Sequence, residues 1–342
     1  MLCSIVETLY YIVNGECNMR KSIIVAMLCT TILFGGCGQV ETGITENEIS
    51  PTVSQAISEV TFTDDLGREV VVPVNPKRVT ALLGSFAHMW SLAGGTVVAT
   101  ADDAWEDFLM ELPETTINIG GTKKPSLEKV FESNPDFIIA SAGTRMHLEW
   151  RDTLESSNIP TVYFQVSGFN DYLRVLEICT QITGREDLYE TYGLAQQERI
   201  EAVIEKSKER LEKMGEAPKI LYLRVSASAV YAKSNRDTVL GAMLADLGCI
   251  NIADEENSLL ENVSIEHILK QDPDYIFIVQ MGDNEQGTKD FIENLFKEQP
   301  VWNSLTAVKE GRMIYLDKKL YNLKPNDRWA EAYEKLEELF SK

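Results

Sequence analysis

Histidine occurs three times in 342 residues and cysteine six times. No Cys/His spacing of a metal site connects them, and no disulfide framework can be read from them. The chain contains no G-x-G-x-x-G, no P-loop and no G-x-S-x-G, so none of the short motifs for nucleotide, dinucleotide or α/β-hydrolase chemistry is available. Positive charge is also scarce. Lys and Arg number 32 against 53 Asp and Glu, a formal net charge of −21. Such a balance argues against nucleic acid as a partner and against spreading on an anionic lipid surface. The one long apolar run, Ile23 to Phe34, falls short of the ~20 residues that span a bilayer. What remains is ordinary for a globular protein, with 44% hydrophobic and 25% charged residues. The length suits two domains of about 100–200 residues each.

The N-terminus is built as a secretory signal. Met19-Arg20-Lys21 is positive, Ile23–Phe34 is apolar, and Gly35-Gly36-Cys37 is a small-residue exit. Residues 1–18 fit no part of that signal, so Met19 reads as the initiator. A cysteine directly after Gly-Gly resembles a bacterial lipobox, with Phe34 where leucine is usual; the resemblance implies lipidation at Cys37. The alternative is plain cleavage and a soluble secreted product. Cys3 and Cys17 then precede the initiator, Cys29 leaves with the signal, and Cys179 and Cys249 remain as buried thiols in apolar surroundings. Glu7, Glu16, Arg20 and Lys21 cancel, so the mature chain keeps −21.

The polar stretch 37–58 reads as a lipidated N-terminus and flexible tether. Order is expected from "VTFTDDLGREVVVP", two β-rich runs around Asp64-Asp65-Leu66-Gly67, a hairpin pattern. Strand and helix patterns then alternate, which predicts an α/β fold with two similar lobes, each a mainly parallel sheet flanked by helices. Residues 59–184 form the N-terminal lobe and 216–342 the C-terminal lobe. Between them, 185–215 is rich in helix formers and bracketed by Gly184 and Gly215. A helix from Glu186 to Met214 would reach about 43 Å at ~1.5 Å per residue, and its sparse apolar residues suggest a solvent-washed spacer.

One phrase is written twice. "PSLEKVFESNPDFII" (Pro125–Ile139) returns as "VSIEHILKQDPDYIF" (Val263–Phe277). Ser126 and Ser264 fit helix N-caps, Glu128 and Glu266 fall at the second helical position, and Pro135-Asp136 and Pro273-Asp274 launch a buried strand. A carboxylate in a first helical turn stabilises by about 0.3–1 kcal/mol through the helix dipole, and that alone can explain one glutamate. Two at matching positions place one exposed carboxylate on the same edge of each lobe.

The mature chain from 59 to 342 resembles a substrate-binding lipoprotein of an ABC importer, the helical-backbone class that serves ferric siderophores, haem and vitamin B12. The residues that carry this are "TFTDDLGREV" with "NPKRV", the two "S-x-E … PD" phrases, "GAMLADLG" and "WNSLTAVKEGRMIYL". The resemblance implies two lobes on one long rigid helix, a ligand in the cleft between them, and no enzymatic activity or cofactor. It also implies docking of Glu128 and Glu266 onto an ABC permease dimer, with the ATPase engaged through the permease. The molecule would be a monomer, lipid-anchored on the extracellular face of the cell membrane.

Ligands of open α/β sheets sit beyond the carboxyl ends of the strands. Those loops bring Ser85, His88, Met89, Trp105 and Arg145 from the first lobe, and Arg224, Tyr231, Arg236, Tyr321 and Lys324 from the second. Arginine forks and aromatic faces suit an anionic iron complex. Arg224 and Tyr231 stand out because the resembled family uses that loop. Haem needs a strong axial ligand, whereas a ferric siderophore arrives with its iron saturated, so the order is siderophore, then haem, then corrinoid. A different class, a glycoside-acting enzyme using Glu128 and Glu266, would need the two carboxylates ~5–9.5 Å apart.

Overall fold

β1 (Glu59–Thr63) and β2 (Glu69–Pro73) pair antiparallel, with Thr63 opposite Glu69. The turn is held by Asp64, whose Oδ1 accepts the Leu66 and Arg68 N–H groups at 3.0 Å. This computed structural model describes residues 58–236, 238–254, 264–282 and 284–341. The expected signal segment with Met19, the expected lipidation site Cys37 and the expected tether up to residue 57 lie outside the described residues.

The first lobe is a five-stranded sheet. β3 (Val79–Ala81), β4 (Val97–Thr100), β5 (Ile117–Asn118), β6 (Phe137–Ser141) and β7 (Thr161–Phe164) are all parallel, in the order β5-β4-β3-β6-β7. β3, β6 and β7 are buried along their whole length because helices cover both faces, so they read as continuous apolar runs. Phe137, Ile138 and Ile139 are each at most 1% exposed. Burial of such a side chain contributes about 1.5–3 kcal/mol.

The second lobe repeats the plan. β8 (Lys219–Val225), β10 (Ile250–Asn251), β11 (Tyr275–Gln280) and β12 (Met313–Leu316) are parallel in the order β10-β8-β11-β12, and β9 (Val230–Lys233) adds antiparallel to β8. The fold is therefore α/β with two similar lobes. The doubled phrase has the same local structure in both. Ser126 Oγ accepts the Lys129 N–H at 3.3 Å, and Ser264 Oγ accepts the His267 N–H at 3.4 Å. The short helices Leu127–Glu132 and Ile265–Gln271 are followed by residues at positive φ, Asn134 (48°) and Asp272 (42°). Asp136 then accepts from Lys77 N–H and Arg78 N–H, and Asp274 accepts from Lys219 N–H, tying each incoming strand to its neighbour.

The connection is helical from Glu186 to Met214, with one wider π turn at Glu190–Leu194. That turn frees the Tyr192 carbonyl, which accepts from Tyr172 Oη at 2.9 Å and Gln196 Nε2 at 2.7 Å. Gly184 (φ 67°) ends the preceding helix Phe169–Thr183, and Gly215 (φ 79°) ends the connection. The solvent-washed spacer expected from sequence is corrected here, because one face of this helix is packed. Ile200, Val203 and Ser207 are buried, and the C-terminal helix Trp329–Phe340 lies along it through Arg199–Glu334 and the nearly buried Arg210–Glu337 pair. A second seam joins the lobes where Trp329 meets Phe169 and Tyr172, ring centroids 5.9 and 6.3 Å apart. After β6 come two short helices, Arg145–Glu149 and Arg151–Ser156, separated at Trp150. Among the described residues no helix is long and apolar enough to cross a membrane.

Candidate functional site

A cavity of about 840 Å³ lies where the carboxyl ends of both sheets face each other. From the first lobe, Leu83 and Ser85 follow β3, Asp103 follows β4, Gly143 to Met146 follow β6, and Gln165 to Ser167 follow β7. From the second, Arg224 is the penultimate residue of β8, Met281 and Gly282 follow β11, and Asn322 to Lys324 follow β12. This is the strand-end position at which open α/β sheets hold ligands.

The start of the helix Gly84–Leu92 is set by close packing. A Cβ on Gly84 would stand 2.3 Å from the Ala104 nitrogen, so only glycine lets the two segments touch. Asp103 Oδ1 closes that contact by accepting the Gly84 N–H at 2.8 Å. Next to it, Lys324 reaches across from the other lobe. Its Nζ lies 3.4 Å from Ser85 Oγ and 4.9 Å above the Phe86 ring. Burial draws the Lys324 ammonium down to about 8, partly offset by Asp103. Burial pushes the Asp103 carboxyl up to about 6; the Gly84 N–H opposes this, Asp102 and Asp107 add to it, and Lys324 offsets it.

Charge in the cavity is unbalanced. Lys123, Arg145, Arg224 and Lys324 line it, against Asp103 and Glu149. Glu149 is already engaged by Arg145 at 2.7 Å. Arg224 donates to Tyr222 Oη at 3.1 Å and to the Asn322 carbonyl at 3.4 Å, so its guanidinium is aimed by neutral groups rather than cancelled by a carboxylate. Hydroxyl and amide groups (Ser85, Thr144, Gln165, Thr238, Asn322) alternate with apolar ones (Phe108, Met146, Val166, Val239, Met281). Such a wall suits a compact anion with an apolar skirt.

Of the ten ligand-contact residues read from sequence, Ser85, Arg145, Arg224 and Lys324 stand on this cavity. The other six do not. Met89 is fully buried in the core. Tyr321 is 3% exposed and donates its hydroxyl to the Ala332 carbonyl, because the short helix Lys318–Tyr321 turns it inward. Trp105 is half-buried on the helix whose Asp103 takes the cavity wall instead. Tyr231 is on β9, 46% exposed, with Lys233 Nζ 5.7 Å above its ring, and Arg236 is exposed. His88 faces Asn326 Nδ2 at 3.1 Å and the Phe108 ring at 5.6 Å. Burial lowers its pKa, with Asp327 opposing.

Sequence reasoning missed Asp103, although it stands in the "ADDAW" loop beside the chosen Trp105. It also missed Asn326, two residues past Lys324. Its fully buried side-chain amide donates to the Ser85 carbonyl at 3.0 Å and to His88 Nδ1, while the Asn326 main-chain carbonyl accepts from Gln196 Nε2 at 3.1 Å. Asn326 thus joins the second lobe's last segment to the first lobe's cavity helix and to the connecting helix. Glu128 and Glu266 do not line the cavity; both are exposed, each on the first turn of its short helix.

Two α/β lobes on a long helix, with a charged cavity at facing strand ends, define the class of two-lobed binding proteins. Residues 79–320 match the periplasmic binding protein family, and the chain belongs to that family, one of substrate-binding proteins rather than enzymes. Among its relatives is the Fe(3+)-citrate-binding protein YfmC of Bacillus subtilis, 26% identical over 310 residues covering 88% of this chain and 90% of that one. The petrobactin-binding protein YclQ of the same organism is 27% identical over 312 residues, covering 87% and 92%. A solved structure of Staphylococcus aureus SirA complexed with staphyloferrin B has the same fold, with TM-score 0.63 at 21% identity, covering 82% of this chain and 98% of that one.

Proposed function

We propose that this chain is an extracytoplasmic, lipid-anchored receptor that captures an anionic ferric siderophore in the inter-lobe cavity and delivers it to an ABC permease. The observation that carries this is the cavity's surplus of positive groups inside a chain of net charge −21. An acidic protein that gathers Lys123, Arg224 and Lys324, beside the Arg145–Glu149 pair, around one cavity from both lobes is arranged for a negative ligand. The ligands for which its relatives are named, ferric citrate and petrobactin, support the same reading.

Haem is the second choice for a stated reason. Among the described residues lining the cavity there is no His, Tyr or Cys, and only Met146 and Met281 offer a side chain of the axial-ligand type. A ferric siderophore asks for no protein ligand. Glu128 and Glu266 are the proposed permease contacts, on equivalent helices of the two lobes, and Cys37 is the proposed lipid attachment.

The test is a titration of the purified protein with ferric citrate, a ferric catecholate and hemin, followed by tryptophan fluorescence and absorbance. Micromolar or tighter binding of a ferric chelate is expected. Binding of hemin alone, with a Soret band, would reject the siderophore reading.

A further inference from the structure

We propose that Asp103 is a charge-selecting residue of the cavity: ionised, it repels polyanionic iron complexes, and on taking up a proton it admits them, so that capture strengthens as the medium acidifies. This rests on the anionic-ligand reading above.

The position of Asp103 is fixed by backbone. Its Oδ1 accepts the Gly84 N–H at 2.8 Å, at a place where Gly84 and Ala104 are too close for any side chain to intervene. Among the described residues Oδ2 has no hydrogen-bond partner, yet the residue lines the cavity. On its own segment are Asp102 and Asp107, and Asp107 is paired with Lys318 of the other lobe at 2.8 Å. The packed helix Gly84–Leu92 contributes His88, engaged with Asn326. Lys324 approaches from the second lobe but lies against Ser85 and Phe86, and no direct ion pair joins it to Asp103. Across the cavity are Lys123, Arg224 and the Arg145–Glu149 pair.

Asp103 is therefore a carboxylate at the wall of an anion site without a cation bonded to it. The sign follows from linkage. A bound anion raises the proton affinity of Asp103 and of Lys324, so binding takes up protons and is strongest below the free-state values, about 6 and about 8. Affinity for an anion falls as pH rises through each. A neutral complex has no charge for Asp103 to repel and gains nothing from its protonation.

The experiment measures Kd for ferric citrate at pH 5.0 and pH 7.5, for the wild type and for Asp103→Asn, which keeps an oxygen for the Gly84 N–H. Both proteins meet the same probe species at each pH, so the chemistry of the probe divides out of the ratio. Wild-type Kd is expected to equal that of the variant at pH 5.0 and to exceed it by about tenfold at pH 7.5, the effect of one charge at close range. Asp103→Ser is expected to behave as Asp103→Asn does, which guards against a variant that fails to fold. A ratio that does not change with pH, or variants that bind more weakly at both, overturns the proposal. If neither protein binds ferric citrate at any pH while the wild type binds hemin, the siderophore reading falls and Asp103's role falls with it.

Discussion

Replacing Asn326 by alanine removes one side chain and disturbs both lobes. The amide donates to the buried Ser85 carbonyl at 3.0 Å and to the partly buried His88 Nδ1 at 3.1 Å. Left unpaired, each costs about 1–3 kcal/mol, about 2–6 for the pair; alanine also removes the amide's own unpaired Oδ1, which offsets part of this and leaves ~2–4 kcal/mol. Asn326 also holds a φ of 52°, which asparagine tolerates and alanine does not, adding ~1 kcal/mol. Asn326→Ala is thus expected to destabilise by about 3–5 kcal/mol, a melting shift of ~10 °C for a domain of this size. Asn326→Gly loses the same bonds without the strain and is expected to be about 1 kcal/mol more stable than the alanine variant. Urea unfolding at pH 7.5 measures both. Ser85 and Lys324 flank the lost bonds, so the affinity for the ferric chelate is expected to drop several-fold in each variant. The reasoning is refuted if alanine costs less than 1 kcal/mol, or if glycine is the worse of the two.

Two further outcomes are expected. His147 is fully buried, and burial first, then Lys324, draws its pKa down to about 4. Its folded value lies below the unfolded one, so its contribution is intact above about 6.5 and is lost as pH falls toward 4, by up to about 3 kcal/mol. Asp103, raised to about 6, works in the opposite direction, so the readout is the difference between wild type and His147→Gln. That difference is expected to shrink on acidification, and urea midpoints at pH 7, 5.5 and 4.5 would show it. For the exposed pair, Glu128→Ala/Glu266→Ala is expected to abolish uptake of radiolabelled iron in cells with chelate affinity unchanged. Each exposed ion pair is worth only ~0–1 kcal/mol, so the single variants should lose uptake partially. Wild-type uptake by the double variant would remove both residues from the docking role.

Periodicity and punctuation made the fold legible. Continuous apolar runs became buried parallel strands, and Gly184 and Gly215 stopped helices where they were placed. The hairpin could be read because Asp64 and Gly67 are local turn chemistry. The site was only half legible, and the reason is distance along the chain. Lys324 meets Ser85 from 239 residues away and Asn326 meets it from 241, and no local pattern carries such a contact. Aromatic and basic residues at strand ends were a fair guide to loops but not to direction. Tyr321 and Lys324 share one loop, and a single helical turn sends the first into the core and the second to the cavity. The connecting helix was misjudged for a similar reason. Its buried stripe is narrow, and Ser207, which donates to the Leu247 carbonyl at 2.8 Å, does not look like a core residue.

The doubled phrase now separates into parts with different causes. Its serines cap helices, its residues at positive φ turn the chain, and the aspartates after its prolines, Asp136 and Asp274, bind the backbone of a neighbouring strand, Lys77 and Arg78 in one lobe and Lys219 in the other. These roles are structural in both copies and need no ligand or partner to explain them. The glutamates differ. Neither Glu128 nor Glu266 lines the cavity, and both side chains face solvent. A first-turn carboxylate gains the same small dipole stabilisation at any exposed helix start. Folding therefore accounts for the serine and the aspartate at these spacings but is nearly indifferent to the glutamate, and it is this indifference that makes an external, two-fold partner the more economical explanation of the pair.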